Sequence, residues 1–141
     1  MKTNFLAILA AAVVPMIIGF LWYGPMLFQN IWMKEANMTE EKVKSGNMPL
    51  IFGLSFVCSF IVAFFLQFLV IHQMGIFQVL INEPGFTDNT GEAFNTFTDF
   101  MAKYGNNFRS FGHGTIHGVL AGLLFVTPII TIKSLLSLIH I

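Results

Sequence analysis

The sequence predicts an all-α fold, a polytopic transmembrane helical bundle with three spans and one amphipathic connecting helix. Three observations carry that prediction. Hydrophobic residues make up 55% of the 141-residue chain and charged residues only 10%, against about 25% charged in an ordinary soluble domain. The deficit is not spread evenly: Phe5 to Met33 and Met48 to Ile71 contain no charged residue, and Thr115 to Ile132 repeats the pattern. About 20 apolar residues at ~1.5 Å rise cross the ~30 Å hydrocarbon core of a bilayer. Mean hydropathy is +0.74, which fits a lipid-facing chain rather than one with a large buried core.

The first span is placed at about residues 5–26. It is almost unbroken aliphatic up to Leu21 and then reads Trp22-Tyr23-Gly24-Pro25. Trp22, Tyr23 and the later Trp32 are read as an interfacial aromatic belt, since amphipathic rings favour headgroup depth. Gly24 and Pro25 stand where a helix should stop. Pro15, inside the span, removes one backbone hydrogen bond and predicts a mild kink. Lys2 and the Ala10-Ala11-Ala12 cluster resemble a secretion signal. The apolar run continues well past that cluster, so a retained anchor is the reading preferred.

A polar connection follows. Within it Thr39 reads as the N-cap of a short surface helix with Glu40 and Glu41 in its first turn, ended by Gly46. Asn47 reads as the N-cap of the second span, residues 48–71, with Pro49 tolerated in the first turn. Beyond it, Glu83-Pro84-Gly85 and Asp88-Asn89-Thr90-Gly91 are turn signals, and Asn89 with Glu92 resembles a capping box. Phe94, Phe97, Met101, Tyr104, Phe108 and Phe111 then recur at helical spacing. They predict an amphipathic helix over about residues 90–111, interrupted near Gly105, with Asp99 and Lys103 paired one turn apart. It is read as capping the bundle. The third span is placed at 115–132 with Pro128 as a second kink site.

The residues Trp22-Tyr23-Gly24-Pro25, Phe28, Trp32, Thr39-Glu40-Glu41 and Gly46-Asn47-Met48 together resemble a family of uncharacterised bacterial membrane proteins, the domain of unknown function 1761. Lys103-Tyr104-Gly105 and His113-Gly114 with His117-Gly118 are similar to one branch of it. The resemblance runs from about residue 4 to residue 133. It implies a four-helix membrane fold in a bacterial cytoplasmic membrane, and it implies no catalytic residue. The family's fourth helix is missing here, and Leu136 to Ile141 resembles a non-native tail. The expectation is therefore a truncated chain.

Two constellations could carry chemistry. Gly114, Gly118 and Gly122 line one helix face at four-residue spacing, the pattern that lets a second backbone approach closely in a membrane. His113 and His117 lie one turn apart, a spacing at which two imidazoles can ligate one metal ion. A third ligand must come from elsewhere, and Glu83, Glu92, Asp99 and His72 are all candidates that no spacing distinguishes. The plainer reading is a pair of interfacial histidines hydrogen-bonded to a neighbour. No phosphate loop, catalytic triad or paired carboxylate lies in a span, so no catalytic residue and no cofactor is expected. Zero formal net charge gives no nucleic acid partner.

The chain is accordingly read as a non-enzymatic helical bundle with a structural or partner-binding role. Its expected partners are the lipid bilayer and a second copy or another membrane protein. Small-solute transport is the alternative, and a membrane-embedded metal or redox enzyme using His113 and His117 is the third. Lys34, Lys42, Lys44 and Lys133 fall on one side of the membrane, against Lys2, Lys103 and Arg109 on the other. That balance leans towards an outside N-terminus.

Overall fold

Asn4 opens the first helix by accepting a hydrogen bond from the Ala7 amide through its side chain at 3.1 Å, and helix after helix follows from such local signals. The computed structural model describes residues 3–137. Among these it is all-α, and three helices are long and apolar enough to cross a membrane. The chain divides into two compact units, residues 2–65 and 66–141.

In the first unit, α1 (Phe5–Trp22) continues as helix across Pro15. It ends four residues before the predicted residue 26, because Gly24 and Pro25 break the ladder and the Phe28 amide turns back to the Trp22 carbonyl at 3.0 Å. The belt aromatics pair within this turn: Trp22 lies 4.6 Å from Phe28 and Tyr23 lies 5.5 Å from Trp32, centroid to centroid. A short α2 (Gln29–Glu35) follows within the polar connection. Next, α3 (Glu40–Ser45) is capped by Thr39, whose Oγ1 accepts from the Lys42 amide at 3.2 Å. The long α4 (Met48–Val70) starts with the Asn47 side chain accepting from the Leu50 amide at 3.2 Å. It leaves this unit at Phe65 and continues into the next.

The second unit holds the end of α4, then α5 (Gln73–Leu80), α6 (Glu92–Tyr104) and a last long helix. Helices α5 and α6 pack through aromatic rings, with Phe86 5.5 Å from Phe97 and 5.7 Å from Phe77. Phe86, Phe97 and Met74 are buried there, a small core joined by a tight loop. Gly85 adopts φ +77° in that loop, and a side chain on Gly91 would collide with the Pro84 carbonyl.

Three expectations are corrected in this region. The capping box at Asn89 does not form: Asn89 sits at φ 64° inside the turn, Gly91 is the N-cap, and no side chain caps α6. The amphipathic helix ends at Tyr104, at the interruption expected near Gly105, and does not continue to 111; beyond it Phe108 takes the left-handed conformation at φ 61°. Among the described residues Lys103 makes no ion pair with Asp99; its ammonium stands 5.1 Å from the Tyr104 ring centre.

The third span is longer than residues 115–132 and runs over Phe111–Leu136. Ser110 begins it by accepting from the His113 amide at 3.3 Å. It comprises α7 (Phe111–Ala121), a π-helical turn (Gly122–Val126) and α8 (Thr127–Ser137). The distortion expected at Pro128 takes the form of that wide turn. Thr127 bonds the Gly122 carbonyl through its amide and through Oγ1, the latter at 2.9 Å, just before proline removes the next donor. Of the closing tail, residues 138–141 lie outside the described residues.

Little of this apolar surface is buried within the chain. None of the most apolar stretch of the second or third span is buried, and Leu6, Phe20 and Met26 are more than 70% exposed. In water such a surface would drive aggregation; in a bilayer it is the surface that lipid covers. The chain is a polytopic membrane protein.

Candidate metal centre

Three histidines meet in the second unit. His72 stands where α4 ends and the chain turns into α5. His113 and His117 lie one turn apart on α7, with ring centres 4.6 Å apart. His72 faces both, at 4.9 Å from His113 and 5.1 Å from His117. The Nε2 atoms of His72 and His113 are 2.9 Å apart. One ring nitrogen from each of the three falls within 4.8 Å of the others.

Burial explains how two histidines and a third 41 residues away come together. Gln73, next to His72, is 4% exposed. Its side-chain amide donates both protons, to the Tyr104 carbonyl at 3.0 Å and the Asn107 carbonyl at 2.9 Å. Those bonds tie the α4–α5 junction to the turn that leaves α6. Three residues past Asn107 the Ser110 cap starts α7, which sets His113 and His117 opposite His72. Phe108 lies in between, its ring 5.6 Å from His72 and 5.2 Å from His113. A left-handed φ of 61° is costly for an aromatic residue. Here it carries the ring against the histidines.

The dimensions suit one ion. Tetrahedral zinc with Zn–N of about 2.0–2.1 Å places its ligand nitrogens about 3.3 Å apart. The cluster spans 2.9 Å to at most 4.8 Å, a range that includes that separation. His72 is exposed and the other two are half-buried, leaving a face open for a fourth ligand. Three neutral imidazoles without a carboxylate suit zinc, copper, nickel or iron and not the oxygen-seeking magnesium or calcium.

The sequence-predicted residues fare unequally. His113 and His117 lie together as their spacing requires, and His72 is the one remaining candidate that the fold brings to them. Glu83, Glu92 and Asp99 are outside the cluster. Gly114, Gly118 and Gly122 leave open space: a methyl group added at any of them would touch nothing within 4 Å among the described residues. Trp22, Tyr23 and Trp32 belong to the other unit. Sequence reading missed Gln73. A glutamine directly after a histidine at a span's end was the one available signal.

Comparison with known proteins gives a family without an assigned activity. A family model described as a protein of unknown function matches residues 6–140, nearly the whole chain. No curated protein and no solved structure matches.

Proposed function

We propose that this chain, which belongs to the DUF1761 family, is a membrane protein that binds a divalent transition metal through His72, His113 and His117. The observation that supports it is the convergence of three ring nitrogens within 4.8 Å, drawn from the turn between α4 and α5 and from α7, far apart in sequence. Helical spacing sets His117 beside His113, and His72 brings a third ring to the same point, 2.9 Å from His113 between Nε2 atoms.

The set lies where the second span ends and the third begins. A metal held there is reachable from the aqueous side, and the open face admits water or an exchanging ligand. The ring nitrogens not facing the cluster bond no carboxylate among the described residues. No charged residue lies within the first or second span, and nothing in them favours a path for ionic solutes.

The test is zinc titration of detergent-purified protein by calorimetry, with each histidine changed to alanine in turn. One ion per chain is expected, with affinity lowered by about tenfold or more in each variant. Equal binding by the wild type and the His117→Ala variant would refute a three-histidine site.

A partner-binding role is supported separately by the open glycine face of α7, which suits a helix of a second copy in a bacterial cytoplasmic membrane.

A further inference from the structure

The first unit carries an open groove between α1 and α4 of about 680 Å³, within the ~300–1,000 Å³ usual for ligand sites. Met16, Gly19 and Phe20 of α1 form one wall, and Ile51, Phe52 and Ser59 of α4 form the other. The connection between the helices closes one end, contributing Gln29, Trp32, Met38 and Lys42. The lining is mainly apolar. Lys42 is the one charged residue on it, and the two helix walls are apolar apart from Ser55 and Ser59.

Length and charge point to one occupant. From Met48 to Ser59 the lining follows about 16 Å of α4 at ~1.5 Å per residue. Half of a ~30 Å hydrocarbon core is about 15 Å, so the groove is about as long as one leaflet is thick. Trp32 and Lys42 stand at its headgroup end, where an indole and an ammonium are favoured. The neighbouring Lys44 is engaged with Glu40 at 3.2 Å, whereas the Lys42 ammonium pairs with no carboxylate among the described residues. We infer that this groove holds one acyl chain of an anionic phospholipid, with the lipid phosphate at Lys42. The inference rests on residues 15–59 alone and is independent of the histidine site.

The experiment uses full-length protein reconstituted in vesicles of equimolar phosphatidylglycerol and phosphatidylcholine, then extracted and weighed by native mass spectrometry. Three forms are compared. A methyl group at Gly19, which lines the groove, would meet nothing within 4 Å, so Gly19→Phe is the variant chosen to fill it. Lys42→Gln removes the charge at an exposed position and leaves the walls intact. The wild type should retain one lipid per chain, with phosphatidylglycerol favoured about fivefold, the effect of one lysine near an anionic headgroup. Lys42→Gln should retain lipid without that preference, and Gly19→Phe should lose it. Should Gly19→Phe fail to fold, Ser55→Phe fills the groove from the other wall. Retention in the vesicle proportion by the wild type would overturn the proposal, as would full retention by a folded groove-filling variant. A wild-type dimer without lipid that Gly19→Phe splits would give the groove to a second copy and equally overturn it.

Discussion

Gln73 is the residue on which the histidine geometry turns. Buried, with both amide protons donated to main-chain carbonyls, it uses all its donors on the turn that leads to α7. Gln73→Leu would leave the Tyr104 and Asn107 carbonyls without their donor, at a cost of about 1–3 kcal/mol. The three imidazoles would remain in the chain but lose their register. The expected outcome is zinc affinity reduced about tenfold with helix content retained; calorimetry and circular dichroism on one sample read both. Unchanged affinity would show that His72 is held by something other than this bond. Acid should act on the ligands directly. Because a protonated imidazole cannot ligate, zinc binding should weaken as pH falls and recover when neutrality is restored.

At the scale of elements, long and short helices were not equally legible. The second span agrees with its sequence-predicted limits to within one residue, since a run of apolar residues bounded by Asn47 and His72 states its own ends. The short α2 and α5 were not read. Seven or eight residues give too few turns for periodicity to show, and tertiary contacts hold them. The stripe from Phe94 to Phe111 misled for a related reason: its spacing stays helical although the helix ends at Tyr104 and Phe108 takes a left-handed φ. Likewise the pair His113 and His117 was visible on one helix, but the choice of His72 over three carboxylates was not. That choice depends on how the Gln73 bonds fold the chain back. The glycine row of α7 makes its own prediction. Gly118→Leu should reduce self-association in detergent more than Ala121→Leu, because only the glycine face permits close backbone approach. Equal oligomer size for the two variants, read by light scattering, would show that no helix docks there.

Over the whole molecule, the three spans, the groove of the first unit and the histidines of the second are separate features of a chain that buries little of its own apolar surface. Orientation links them to the cell. Lys34, Lys42 and Lys44 all lie on the connection between the first two spans, and this connection is predicted to face the cytoplasm. A cysteine at Lys42, with Cys58 replaced, should resist a membrane-impermeant thiol reagent in intact cells; rapid labelling would reverse the orientation. The central claim is that His72, His113 and His117 share one metal ion. X-ray absorption at the zinc edge tests it most directly, because it reads the ligands and not merely the affinity. Zinc-loaded protein should show imidazole scattering from three nitrogens at about 2.0–2.1 Å, falling to two in His72→Ala. A spectrum of oxygen ligands alone, or one that His72→Ala leaves unchanged, would contradict it.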